Sequence, residues 1–514
     1  MSETPPPSRL VRWLSRVERV GNKLPDPLTL FFLMAAGVVV VSMFTSGVEA
    51  DVVQRSGDTQ TLAVKNLMSA EGIRWMFSSA VQNFIGFAPL GPVLTVMIGI
   101  GVAERTGFIS TGLRVLVTKV PPSMITATLV FGGVMSSMAA DAGYVVLTPL
   151  GALLFASLGR HPLAGLAAAY AGVSGGFSAN LLITGLDPML SRLTQQAAQT
   201  IDPSMTVNPA CNWYFMIAST VLVTVIGTLV TRFIVEPMLG EWSPEQGTAP
   251  VEDEKTAATN REARAFLESM GIAAIAMAVM VWMGVSGPLV DEIPAGAPAV
   301  DALHTFFESI EIIVAIGFIL PGIYYGIRTG TIRNDRDVAG MMTDTMATMG
   351  AYVVLAFAAG QFVAFFNWTN LGAITAVKGA DILQSIGLEG GLLLIAFLVV
   401  SGLMNFLVGS ASAKWAFMAP IFVPMLMLMG ISPEATQAAY RVGDSITNII
   451  SPLMPYLPII IVFAQKYDKK AGLGTIIAAM LPYSIAFAIA WTIMLLFWVY
   501  ANVPLGPGAY ALMP

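Results

Sequence analysis

A cation, an anion and an amide stand inside an otherwise apolar stretch, AAYRVGDSITNIISPLMPYLPIII at 438–461. Arg441 and Asp444 are three residues apart, and Asp444 and Asn448 four, so all three share one helix face. Taking a charge out of water is costly unless it is paired, and ionisable groups at membrane depth mark ion or substrate paths. Pro452, Pro455 and Pro458 follow at three-residue intervals and lack backbone donors, so the helix is expected to unwind just past the polar face. Carbonyls freed beside Asp444 and Asn448 are hard oxygen ligands suited to a small cation. The plainer reading is an Arg441–Asp444 pair that only fixes helix packing.

A second polar group lies at 405–415, with Asn405, Gly409, Ser410, Ser412, Lys414 and Trp415. Asn405 is expected to complete an oxygen cage with Asp444 and Asn448. Trp415 reads as a ring that stacks on an aromatic or covers a cationic ligand, or equally as a packing or interfacial residue. Lys414 reads as a partner for a substrate carboxylate or, preferably, as a side chain that reaches the interface along its own stem. The first half offers Ser136, Ser137 and Asp141, then Ser174, Ser178, Asn180 and Asp187 within SGGFSANLLITGLDP at 174–188. The Gly175–Gly176 pair and Pro188 argue for a broken helix there. Asp187 suits either a coupling proton or a helix cap.

These side chains need a membrane to make sense of them. The 514 residues are 55% hydrophobic and 11% charged, with mean hydropathy +0.73, where soluble domains carry about 25% charged residues. A net charge of −6 gives no nucleic-acid footprint. Cys211 alone excludes an internal disulfide framework and a Cys-based zinc site, and His161 and His304 are too few for a His-rich metal site. There is no P-loop and no H-E-x-x-H motif. The chain therefore reads as no enzyme, needs no organic cofactor, and draws its energy from an ion gradient.

The stretch 28–47 has twenty uncharged residues, about the length that spans a hydrocarbon core of roughly 30 Å. It reads as a retained first helix rather than a cleaved signal. Further spans centre on 84–103, 163–184, 211–230, 269–288, 312–327, 349–368, 437–463 and 472–499. Two long apolar stretches, about 121–158 and 390–430, are broken at SSMAADAG and NFLVGSASAK. If each is a hairpin that enters and leaves on one side, a cytoplasmic N-terminus puts every basic cluster inside. These clusters are Arg9 to Lys23, Arg105/Arg114/Lys119, Arg232 to Arg264, Arg328/Arg333/Arg336 and Lys466/Lys469/Lys470. The expected fold is all-α, with nine transmembrane helices plus two re-entrant helical hairpins. The first hairpin opens from the cytoplasm and the second from outside. Residues 48–80 are expected to form an outside loop. Residues 1–239 form a first half, 240–265 a polar cytoplasmic linker, and 266–514 a second half.

A weak internal repeat fits two halves. With a shift of 271 residues, ten of the 35 positions in 140–174 match those in 411–445, among them Gly159/Gly430, Pro162/Pro433, Gly172/Gly443 and Ser174/Ser445. Inverted repeats with interrupted helices belong to secondary transporters, which bind substrate and ions near the midplane between repeats.

GLDP at 185–188, S-x-S-A-K-W at 410–415 and A-Y-R-x-G-D-S-x-T-N-x-I-x-P-L at 439–453 resemble the AbgT family of p-aminobenzoyl-glutamate transporters. The resemblance runs through nearly the whole chain. It implies the same nine helices and two hairpins in each subunit of a homodimer in the bacterial inner membrane. It also implies ion-coupled uptake of p-aminobenzoyl-glutamate, or export of p-aminobenzoate and sulfonamides, with export preferred here. Transport roles fall by motif on Asp187, Trp415, Arg441 and Asp444, with Pro433 matching a proline ahead of the broken helix. A sodium site falls near Asn405, Gly409, Asp444 and Asn448. The coupling ion, H+ or Na+, stays open. Alternatives are a sodium-coupled dicarboxylate carrier, an ion channel and, remotely, a membrane enzyme acting on aminobenzoyl compounds.

Overall fold

The computed structural model describes residues 27–53, 59–118, 120–139, 143–243, 258–292, 302–451, 454 and 456–513. Asp141, Lys119, Pro452, Pro455, the basic cluster Arg9 to Lys23 and residues 244–257 of the linker lie outside this set. The first half carries helices α1 (Pro27–Phe44), α2 (Ala70–Ile85), α3 (Leu90–Arg105), α4 (Phe108–Thr118), α5 (Ile125–Met135), α6 (Thr148–Ser157), α7 (Pro162–Tyr170), α8 (Leu186–Ala198) and α9 (Trp213–Val230). The second half carries α10 (Asn260–Val285), α11 (Ile310–Thr329), α12 (Asp335–Thr348), α13 (Gly350–Trp368), α14 (Leu371–Ser385), α15 (Gly390–Met404), α16 (Ala411–Leu428), α17 (Pro433–Asn448), α18 (Leu457–Tyr467) and α19 (Leu473–Tyr500).

The segment 48–80 is not a plain loop. It holds an antiparallel hairpin of β1 (Glu49–Val53) and β2 (Thr59–Ala63), then the start of α2. Valine and threonine recur in these sequences, EADVV and TQTLA, and β-branched residue types favour strands.

Among the described residues seven helices are long and apolar enough to cross a membrane, or eight if the pair α14–α15, bent by 119°, counts as one span. Each of the nine expected spans overlaps a helix, and the count long and apolar enough to cross stays at these seven or eight. Two of them meet an interrupted helix: 437–463 covers parts of α17 and α18, while 163–184 covers most of α7 and ends just before α8. The helix of α7 widens into a π-turn at Ala171–Gly175, breaks, and the chain resumes as α8. Similarly, α17 ends at Asn448 and α18 starts at Leu457. Pieces of 9, 13, 16 and 11 residues are each shorter than the roughly 20 that span the hydrocarbon. The stretches 121–158 and 390–430 each contain two helices joined by a short connection, α5 with α6 and α15 with α16.

The repeat-paired residues behave alike. Pro162 and Pro433 each open a helix, where fixed φ helps and the missing N–H costs nothing. Gly159 and Gly430 both hold left-handed φ, +68° and +80°, in the turn before that helix. Gly172 and Gly443 are both points of backbone contact. A Cβ at Gly172 would fall 2.3 Å from Val130 O, and one at Gly443 2.4 Å from Leu398 O. Small residues let helix backbones approach this closely in membranes. All of α7 is buried, and so is every residue of α17 except Thr447. Protein covers α17 through α15, α16, α8 and α19, which is what permits a polar face at this depth.

Gly443→Ala should therefore push α15 from α17 and destabilise the protein by about 1–3 kcal/mol, the usual cost of overpacking. Gly271→Ala in α10, where a Cβ meets open space, is the control. Thermal unfolding of the purified proteins tests this, and equal melting of the two variants would refute the close contact.

Candidate functional site

Two buried ion pairs meet on α17. Arg441 Nη1 lies 2.6 Å from Asp187 Oδ1, so the second half's cation is held by the first half's anion. Asp187 stands in the first turn of α8. Its Oδ2 accepts hydrogen bonds from Thr184 N at 2.6 Å and Thr184 Oγ1 at 2.8 Å. Asp187 therefore fastens the chain entering α8 without capping the helix, whose N-cap is Gly185, and its other oxygen faces Arg441. The guanidinium is less fully used. Arg441 Nε and Nη2 are buried and have no hydrogen-bond partner.

The second pair corrects two expectations. Arg441 does not pair with Asp444, and Lys414 does not reach an interface. Lys414 Nζ contacts Asp444 Oδ1, with side-chain exposures of 0% and 1%. It also donates to Asn405 Oδ1 at 3.0 Å. Asn405 caps the end of α15. Its Nδ2 donates to Asn448 Oδ1 at 2.7 Å, Thr447 Oγ1 at 3.0 Å and Asp444 O at 3.2 Å. Asn448 Nδ2 returns a bond to Asp444 Oδ2 at 3.2 Å. Asn405, Asp444 and Asn448 do converge, and the positive charge among them is the Lys414 ammonium. Gly409 is half-buried in the connection between α15 and α16.

Trp415 is fully buried, so it is not an interfacial residue. Its ring lies against Tyr440 with centroids 4.4 Å apart. Its Nε1 donates to Thr194 Oγ1 at 3.0 Å and Leu190 O at 3.3 Å. Pro433 opens α17 two turns before Arg441, about 12 Å along the axis at 1.5 Å per residue. Ser432 caps the same end by accepting from Ala435 N. In the first half Asn180 Nδ2 donates to Ser137 Oγ at 2.9 Å, which ties the α5–α6 connection to the break before α8. Ser136 returns its hydroxyl to Gly133 O. Ser178 N donates to Ser445 Oγ, a direct link from that break to α17. Ser174 is buried in the π-turn, while Ser410 caps α16.

Sequence reasoning missed a buried amide chain. Thr194 Oγ1 donates to Gln437 Oε1 at 2.6 Å, Gln437 Nε2 to Asn212 Oδ1 at 2.9 Å, and Asn212 Nδ2 to Glu434 O at 2.9 Å. A signal was present. Glu434, Gln437, Arg441, Asp444 and Asn448 continue one helical stripe at spacings of three or four, and only its last three members had been singled out.

A model of the family described as "AbgT putative transporter family" matches residues 12–513. The chain belongs to the AbgT family. This AbgT family member is 37% identical to the p-aminobenzoyl-glutamate transport protein of Escherichia coli (strain K12), over 99% of each chain. It is similar in structure to the Alcanivorax borkumensis YdaH transporter, whose crystal structure is described as revealing an unusual topology. The TM-score is 0.86, with 42% identity over 94% of this chain and 100% of that one. It is also similar to Neisseria gonorrhoeae MtrF, described as illuminating a class of antimetabolite efflux pumps. There the TM-score is 0.89, with 44% identity over 97% and 100% of the chains. The AbgT family chain is thus a multi-pass membrane transporter and not an enzyme.

Lys414→Met leaves Asp444 as a buried, uncompensated carboxylate and should cost about 3–5 kcal/mol of stability. Lys414→Met with Asp444→Asn should recover most of that loss. Denaturant unfolding of the purified variants checks it, and equal losses in single and double variants would show that the pair does not hold the site.

Proposed function

We propose that this protein is an ion-coupled secondary transporter of p-aminobenzoyl-type solutes: p-aminobenzoate, p-aminobenzoyl-glutamate and sulfonamides, moved outward. The observation that carries the reading is the Arg441 guanidinium, buried on Asp187 with Nε and Nη2 unpartnered. Two buried donors on one cation await an anion, and charge-assisted bonds to a carboxylate are the strong kind. The Trp415–Tyr440 pair, borne on α16 and α17 with Arg441, favours an aromatic anion over an aliphatic dicarboxylate. The relatives named for p-aminobenzoyl-glutamate transport and for antimetabolite efflux support the same class.

Coupling enters at the two ion pairs. Protonating Asp187 frees Arg441 Nη1 for substrate. Asp444 and Asn405 already hold one positive charge, from Lys414, so their oxygens fit a sodium ion when the ammonium moves aside, with Asn448 at its edge. Bound sodium supplies charge there that Lys414 otherwise supplies. One charge crossing about 100 mV is worth roughly 2.3 kcal/mol. The working arrangement is nine spans with two re-entrant hairpins in inverted halves, 1–239 and 266–514, joined by the cytoplasmic linker 240–265. The transporter is a homodimer in the bacterial inner membrane with a cytoplasmic N-terminus.

Flux of the three labelled solutes in proteoliposomes, under separate sodium and proton gradients, tests this reading. We expect gradient-driven flux that falls at least about tenfold in Arg441→Ala and in Asp444→Ala, since a lost bond to a charged group costs about 1.5–3 kcal/mol. Both variants should elute as folded protein. Flux that survives in both would place the site elsewhere. Movement of a dicarboxylate and none of the three would transfer the reading to that class.

A further inference from the structure

A cavity of about 200 Å³ lies away from the Arg441 site. Its walls include Arg192 of α8, Asn208, Phe307, Glu308, Glu434 and Pro507. The chain path says which end of the molecule this is. Residues 206–209 precede α9, which runs on to Arg232. Phe307 and Glu308 precede α11, whose far end carries Arg328. Pro507 and Gly508 follow α19, whose far end begins beside Lys469 and Lys470. Every one of these segments sits at the helix ends opposite the basic clusters.

The lining is polar in a particular way. Arg192 supplies a guanidinium that forms an ion pair with Glu311 through Nη2 at 3.3 Å and keeps 23% of its side chain exposed. Asn208 Nδ2 donates to Pro507 O at 3.0 Å, while its Oδ1 is buried without a partner. Glu434 adds a carboxylate that is 7% exposed. The cavity therefore offers a guanidinium shared with Glu311 on one side and the acceptor oxygens of Asn208, Glu308 and Glu434 for an N–H group. Its volume is below the roughly 300 Å³ at which drug-sized pockets begin, and it suits a one-ring solute.

The route inward is shut. Glu434 O, Asn212, Gln437, Thr194 and Trp415 form one unbroken chain of buried hydrogen bonds from this cavity to the Trp415 ring, which lies against Tyr440. The C-terminal segment fastens the same end, with Ser432 N donating to Ala511 O and Met513 N to Gly430 O. The cavity is thus separate from the inner site in this conformation.

We infer that it is a second, outer binding site for the transported solute, holding an amino-aryl carboxylate by its acid on Arg192 and its amine on Asn208 and Glu434. The inference rests on the substrate reading above. The test is equilibrium binding of radiolabelled p-aminobenzoate to the purified full-length protein in detergent. The wild type should bind two per chain and Arg441→Ala one. Arg192→Gln and Glu434→Gln should each keep the inner site, which also proves them folded. Combined with Arg441→Ala, each should weaken the remaining site at least tenfold. One per chain in the wild type and none in Arg441→Ala overturns the outer site alone. A second site that neither Arg192→Gln nor Glu434→Gln weakens overturns it too. No binding to the wild type overturns both this inference and the substrate reading.

Discussion

Charge buried in hydrocarbon must find opposite charge, and the interior of this protein is arranged around that requirement. Asp187 and Arg441 come from different halves of the chain, 254 positions apart in sequence, and each neutralises the other at 2.6 Å. Neither half can bury its charged residue alone. Lys414 and Asp444 do the same between α16 and α17. The two pairs fix how α8, α16 and α17 sit together, and the aromatic contact of Trp415 with Tyr440 lies among those same helices.

Under the transport reading proposed above, such pairs make the interior responsive: the Arg441 pair keeps donors for a further anion, and the Lys414 ammonium holds a charge that another cation replaces. The broken helices serve the same end. By stopping at Gly176 and at Asn448, the chain brings helix ends, side-chain amides and hydroxyls to membrane depth, where a continuous helix would present only side chains. Their polar groups are then met from across the halves, as Ser178 meets Ser445 and Asn180 meets Ser137.

Packing lets these segments come so close. Gly172 and Gly443 occupy paired positions and place their helices in backbone contact with α5 and α15. Dispersion and close approach, rather than hydrophobic exclusion, hold helices together in lipid. The nearly complete burial of α17 follows, and with it the tolerance of five polar residues along one stripe.

The sequence by itself determined the membrane class, the positions of the helices, the two breaks and the residues at stake. Hydropathy, Gly and Pro act locally, and a polar stripe in an apolar run shows its period without any partner. It also carried the family motifs. What it left undecided was pairing. Spacing pointed Arg441 to Asp444, three residues away, and gave no sign of Asp187, while Lys414 near a polar turn looked free to reach water. Only the tertiary structure chose, because partners for buried charges come from whichever helices pack together, and that packing depends on contacts some 200 residues apart. The hairpin of β1 and β2, the Thr194–Gln437–Asn212 chain and the cavity beside Arg192 belong to the same category. Each arises where segments distant in sequence, or a turn outside the apolar pattern, meet in space.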